Sequence, residues 1–224
     1  MIALVTGANS EIGTSICKYL LKHNHVVIAC VHNNIDRIEK ITHDNLVIKK
    51  IDLTIEKSII NLLKDNKLDL IINAAAYYFD DNYENISKKD FMKSFEVNTV
   101  APFLIAKYAE MENGIIINIS STDGIDTYNE LTINYSASKA ALNNLTKSLA
   151  YSLKKAKVYA LALGWVDTEM IHDINQDYLN FEMKRTNQKK LVSLNEINEA
   201  LEKILNNEYE NGSIIRIDGD INVY

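Results

Sequence analysis

Seven short runs rich in Ile, Val and Leu recur along the chain, at residues 2–5, 26–31, 46–51, 68–72, 115–119, 158–163 and 214–217. Each has the length of a strand, and continuous β-branched runs of this kind are buried on both faces of a parallel sheet. Longer stretches with helical character separate them, at residues 12–22, 55–64, 88–111, 135–154 and 194–206. This alternation constrains the chain to the α/β class. The expected form is a doubly wound parallel sheet with helices on both faces, joined by right-handed crossovers. No repeat, low-complexity tract or Gly/Ser/Pro-rich linker interrupts the pattern, so residues 1–224 are expected to form one domain.

In such a sheet ligands bind beyond the C-terminal strand ends, at the topological switch point. Composition narrows the ligand class. Lys plus Arg number 24 and Asp plus Glu 30, a net charge of −6 that disfavours a nucleic-acid partner. No apolar run approaches the ~18 residues of a membrane span, and the N-terminus lacks the basic region of a secretory signal. Cys17 and Cys30 are the only cysteines and lack the spacing of a disulfide framework or zinc site. A soluble cytoplasmic protein without a metal centre is expected. Glycine occurs only 7 times and proline once, which makes each glycine informative.

The first strand runs into Thr6-Gly7-Ala8-Asn9-Ser10-Glu11-Ile12-Gly13 and then a helix. Gly7 permits a tight turn, Gly13 permits close helix packing, and the free N–H groups at the helix start can receive a pyrophosphate. The pattern points to a Rossmann-type dinucleotide site, although glycines at this spacing also occur in ordinary strand–helix turns. The second strand ends in Val31-His32-Asn33-Asn34, without the acid that holds a ribose 2′-hydroxyl in NAD sites. His32, Asn33 or Arg37 could accept a 2′-phosphate. Glu11 sets a negative charge nearby, or simply complements the helix dipole. On balance NADP(H) is favoured over NAD(H). Asp52 and Leu53 follow the third strand. The Asp52 carboxylate can accept from an adenine amino group, or it belongs to a helix start capped by Thr54.

Tyr135 and Lys139 stand four residues apart on a helix and so share a face. A phenol has an ordinary pKa of ~10, and an adjacent ammonium favours the phenolate. Such a pair can exchange a proton with an alcohol or ketone, although most Tyr-x-x-x-Lys pairs are solvated helix faces. Ser120 and Ser121 end the fifth apolar run, where a hydroxyl can polarise a carbonyl oxygen or cap the backbone.

Together with Asn73-Ala74-Ala75-Ala76 and Asn98, these motifs resemble the short-chain dehydrogenase/reductase family in order and spacing, over nearly the whole chain. The likeness is greatest to 3-oxoacyl-(acyl-carrier-protein) reductases and related ketoreductases. The resemblance implies Tyr135 as acid/base and Lys139 as the residue that lowers its pKa and holds the nicotinamide ribose. It implies Ser121 as the orienting hydroxyl and Asn98 as the holder of a relay water. It implies a cofactor lined by the turn from Gly7 to Gly13, by His32, Asn33, Asp52 and Leu53, by Asn73, Ala74 and Ala75, and by Gly164, Val166 and Thr168. It also implies a homotetramer or homodimer built on helices 88–111 and 135–154. The chain departs from the family at Glu11, which replaces a glycine, at Ala74, Ala76 and Leu163, and at Asp220, which replaces a second glycine.

The expected reaction is hydride transfer between NADP(H) and a carbonyl or secondary alcohol, with a 3-oxoacyl thioester as one candidate. A pterin or sugar-derivative reductase, or a non-catalytic dinucleotide-binding protein, are the alternatives. Residues 169–191 occupy the position of a substrate lid. Tyr77, Tyr78, Tyr128, Trp165, Tyr178 and Phe181 are candidate lining residues, and Lys184, Arg185, Lys189 and Lys190 form a basic cluster that could dock an acidic carrier or simply be solvated.

Overall fold

Each apolar run becomes a strand within a residue or two of its expected limits. In the computed structural model, which describes residues 1–219 and the backbone of 221–223, the strands are β1 (Ile2–Thr6), β2 (Val26–Val31), β3 (Leu46–Lys50), β4 (Leu70–Asn73), β5 (Gly114–Ser121), β6 (Ala156–Leu163), β7 (Ile214–Ile217) and β8 (Ile221–Val223). Asp220 lies outside the described residues. The sheet order is β3-β2-β1-β4-β5-β6-β7-β8. The first seven strands are parallel and β8 returns antiparallel to β7. The order reverses between β1 and β4, which puts the switch point at the turn after β1.

The helices are α1 (Glu11–Lys22), α2 (Glu56–Leu63), α3 (Lys88–Phe95), α4 (Ala101–Tyr108), α5 (Ile133–Ser152), α6 (Glu169–His172), α7 (Gln176–Arg185) and α8 (Leu194–Leu205). Strand side chains alternate between faces, and two cores result. Val5, Val27, Ile72 and Leu161 pack with Ile16 and Leu20 of α1 and Ile197 and Leu201 of α8. Leu4, Ile28, Ile71 and Ile116 pack with Ile59 of α2, Ile105 of α4 and Leu149 of α5. Local chemistry sets several helix starts. Ser10 caps α1 by accepting from the Gly13 amide at 3.0 Å. Ser193 and Glu196 form a reciprocal capping box on α8.

The helix expected over 88–111 is three pieces. A five-residue π-helical turn, Glu96–Val100, joins α3 to α4. The physical cause is Pro102, which has no N–H to give the carbonyl of Asn98 four residues earlier. Thr54 does not cap α2 either. Its N-cap is Ile55, with no side-chain bond, and Thr54 instead donates its N–H and hydroxyl to Asp52 at 2.9 and 2.7 Å.

A polar seam crosses the second core. Asn73 and Asn118 are paired across β4 and β5. The Asn73 amide donates to Asn118 Oδ1 at 2.8 Å, and the Asn118 amide to Thr146 Oγ1 on α5 at 2.9 Å. Buried polar groups that lose a partner cost about 1–3 kcal/mol each. Asn118→Leu is therefore expected to lower unfolding free energy by roughly that amount, measured as a reduced urea midpoint with unchanged slope. An unchanged midpoint would show that the seam contributes nothing to stability.

Candidate active site

The C-terminal ends of β1, β2, β4, β5 and β6 open onto one cleft of ≈ 1470 Å³. That exceeds the about 300–1,000 Å³ of most small-molecule pockets and leaves room for a dinucleotide beside a substrate. Ser121 ends β5 on one wall, and Tyr135 and Lys139 face it from α5. The Lys139 side chain is 2% exposed. Its amine donates to the Ile119 carbonyl on β5 at 2.7 Å and lies 5.4 Å from the Tyr135 ring centroid. The Ser121 hydroxyl lies near enough to the Tyr135 phenol to favour its ionised form, and it accepts the Asp123 amide at 3.1 Å. Ser121 is thus both site hydroxyl and turn cap. Ser120 points away, towards the Lys139 carbonyl.

Burial dominates the electrostatics of this wall. Burial pushes the Tyr135 phenol above its ordinary value, and the Asp123 charge and Tyr78 act in the same direction. The Ser121 hydroxyl pulls it down. Burial has pushed the lysine amine itself down to about 7, so near neutral pH it is only partly an ammonium.

Asn98 does not line the cleft. It is fully buried on the π-helical turn, where its amide donates to the Tyr77 carbonyl (3.0 Å) and Ser138 hydroxyl (2.9 Å) and its Oδ1 accepts the Tyr77 N–H (2.7 Å). It clamps the segment after β4 against α5. Asn73 likewise sits behind the wall, in the polar seam, whereas Ala74 and Ala75 form the wall itself.

On the opposite side, Gly7 adopts φ +63°, and a side chain there would strike the Ala75 backbone at 2.6 Å. Gly13 packs so closely that a Cβ would lie 2.3 Å from the Gly7 carbonyl. Gly13 and the buried Ala8 support the turn from behind, while Gly7, Asn9, Ser10 and Ile12 line the cleft. His32, Asn33, Asp52 and Leu53 line the far end, with His32 Nε2 3.9 Å from Asp52. Gly164, Val166 and Thr168 line the part next to β6.

Glu11 and Arg37 are committed elsewhere. Arg37 Nη2 donates to Glu11 at 3.0 Å and to Glu169 at 2.6 Å. The Glu169 amide donates to both Glu11 carboxylate oxygens, at 3.2 and 3.0 Å. Asn9 Oδ1 accepts the Arg37 and Ile38 amides at 2.9 and 3.0 Å. The first turn, the loop after β2 and the start of the 169–191 segment are thereby tied together. Arg37 drops out as a partner for a 2′-phosphate, and Glu11 holds a guanidinium as well as the helix dipole.

Of the aromatic candidates, Tyr77, Tyr78 and Trp165 line the cleft. Tyr128 and Phe181 are 74% and 62% exposed, and Tyr178 accepts from Asn129. The basic cluster is broken up, because Arg185 is bonded to Glu182 and the Tyr128 carbonyl and Lys190 to Glu196. Sequence reasoning missed three groups. Asp123 reads locally as part of a turn. The Arg37–Glu169 contact joins residues 132 apart. Gln188 clamps Trp165 through two 2.8 Å bonds across a loop. None of these leaves a periodic or motif signal. No helix among the described residues is long and apolar enough to cross a membrane.

Three comparisons bear on this geometry. Residues 1–179 match the family model for short chain dehydrogenase. The 3-oxoacyl-[acyl-carrier-protein] reductase FabG of Rickettsia conorii is 33% identical over 184 residues, covering 78% of this chain and 76% of that protein. A solved 4-hydroxyisoleucine dehydrogenase complexed with NADH superposes with a TM-score of 0.82 at 29% identity, covering 97% of both chains. A dehydrogenase/reductase from Sinorhizobium meliloti 1021 gives 0.87 at 25% identity, covering 97% of this chain and 93% of that one. The family match, the sequence identity and the superposed fold agree, and the chain belongs to the short-chain dehydrogenase/reductase family, whose members are NAD(P)-dependent oxidoreductases.

Proposed function

We propose that this protein transfers a hydride between NADP(H) and the carbonyl or secondary alcohol carbon of a small molecule. The observation that carries the reading is the meeting of Ser121, Tyr135 and Lys139 on one cleft wall. The cradle fits a dinucleotide: Gly7, at φ +63°, turns the chain tightly after β1 where a side chain would strike Ala75, and Gly7, Ser10, Ala74, Gly164 and Val166 line the cleft along the strand ends. When bound, the nicotinamide supplies or accepts the hydride.

The chain's own residues do the rest. In the reducing direction Tyr135 gives its proton to the carbonyl oxygen, and Ser121 donates a hydrogen bond to that oxygen as negative charge develops. Lys139, with its amine anchored on Ile119, holds the nicotinamide ribose and returns a proton to Tyr135. Asn98 acts by position. Its side chain fixes Tyr77, and Pro102 leaves its carbonyl without an α-helical donor, so the carbonyl is the atom assigned to the relay water. In this reading residues 169–191 form a substrate lid over one domain, and copies associate through the faces that expose Val100, Phe103 and Tyr151. A 3-oxoacyl thioester, named for the Rickettsia relatives, is one carbonyl compound to assay.

The NADP(H) preference rests on the end of β2, where His32 and Asn33 meet the cleft and no carboxylate follows the strand directly. Fluorescence titration is expected to give tighter binding of NADPH than of NADH, and the opposite order would reverse the assignment. Tyr135→Phe is expected to lower kcat by about 10²–10⁴-fold, the usual contribution of a general acid, with cofactor affinity retained. Near-normal turnover would remove Tyr135 from the mechanism.

Lys139 makes stability depend on pH. Its folded-state pKa of about 7 lies below the ordinary 10.5. Across that window the unfolded chain binds the extra proton, so this residue's contribution to stability rises with pH. Lys139→Met is expected to exceed the wild type in urea midpoint at neutral pH, with the gap narrowing as the ordinary lysine value is approached. A gap independent of pH would contradict the buried amine.

A further inference from the structure

Asp123 follows Ser121 by two residues and lines the same cleft as Tyr135 and Tyr78. Its backbone is fixed by the Ser121 hydroxyl, and its carboxylate accepts the Thr127 hydroxyl at 2.7 Å. The cation that acts on it is Arg185 of α7, offset by Glu182; the Arg185 Nε and Nη2 bond Glu182 at 3.0 and 2.6 Å, with Nη2 also held by the Tyr128 carbonyl. The Lys93 amine sits over the Tyr77 ring at 4.4 Å, and the Lys139 amine is held on Ile119. Asp123 therefore presents its charge to the cleft with a hydroxyl as its hydrogen-bond partner.

Beside it the Tyr78 ring meets the Tyr135 ring edge-on, with centroids 5.4 Å apart. Asp123 acts on both phenols and opposes the ionisation of each. A carboxylate in this position disfavours the tyrosinate that oxidation requires, and a positive charge placed against it by the substrate relieves that in addition to the charge of the oxidised nicotinamide. An anionic substrate would add to the repulsion. A protonated amine would neutralise Asp123, and the face of a tyrosine ring attracts the same group.

We propose that Asp123 and Tyr78 form a recognition subsite for a protonated amine carried next to the reacting carbon, so that the substrates are amino alcohols and amino ketones. The inference rests on the oxidoreductase reading above and adds the substrate class. Oxidation of such an alcohol breaks the carbinol C–H bond, with the hydride passing to NAD(P)⁺ and the hydroxyl proton to Tyr135. Reduction of the amino ketone is the reverse. The amine keeps its charge throughout.

The test compares isopropanolamine, sec-butanol and β-hydroxybutyrate, which present a cation, a neutral group and an anion next to a secondary alcohol. They are assayed with NAD⁺ and NADP⁺ by absorbance of the reduced nicotinamide. The wild type is expected to favour isopropanolamine over sec-butanol by about tenfold or more in kcat/KM, through KM, and to disfavour β-hydroxybutyrate. Asp123→Asn, which keeps the shape and the Thr127 contact, is expected to erase the amine preference while sec-butanol turnover persists. Tyr78→Leu is expected to reduce the preference in part. Turnover of sec-butanol without an amine preference, or a preference that survives Asp123→Asn, overturns this inference and leaves the oxidoreductase reading standing. Failure to oxidise any of the three with cofactor bound overturns both.

Discussion

The contact on which the site depends is the one between the Lys139 amine and the Ile119 carbonyl. It joins a helix to the strand end that it crosses, and it does so inside the protein. A lysine removed from water loses the hydration of its charge, and this one responds with a depressed pKa and a hydrogen bond at 2.7 Å. Because Tyr135 lies one turn earlier on α5, fixing Lys139 to β5 also fixes the phenol beside the hydroxyl that ends the same strand. Buried polar groups recur around this joint. The Asn73–Asn118–Thr146 seam ties β4 and β5 to α5, and Asn98 ties the segment after β4 to Ser138. A wholly apolar interface would hold the helix on the sheet with less definite register, since hydrophobic burial is non-directional. These amides supply the direction.

A second set of contacts organises the cofactor side. Glu11 occupies a position where the family carries a glycine, and the structure shows what the carboxylate does there. It receives Arg37 from the loop after β2 and the backbone of Glu169 from the segment after β6. Three loops that meet at the strand ends are thereby linked through one exposed edge of the cleft. The pairs are partly solvated, so their contribution is one of alignment more than of stability.

Much of the fold was legible because its signals are local or periodic. Runs of β-branched residues marked seven strands, and the turn at Gly7 marked the start of the first helix. The π-helical turn was missed although its cause, Pro102, was visible, because a helix can also absorb a proline near its first turn. The short strand β8 left too little apolar sequence to notice. In the site, Tyr135 and Lys139 were legible through their i,i+4 spacing. The structural ties of Asn98 were not legible, since the hydrogen bonds between its amide and Tyr77 are tertiary facts.

The sequence by itself determined the strand–helix alternation, the turn at Gly7 and the shared helix face of the tyrosine and lysine. Each is settled within a few residues by backbone geometry and hydrophobic period. Tertiary structure alone decided that Ser121 meets Tyr135, that Arg37 is claimed by two glutamates, and that Asp123 faces the cleft beside the phenol. It also decided the lowered pKa of Lys139, because a pKa follows burial and neighbouring charge, and both exist only once distant segments have packed.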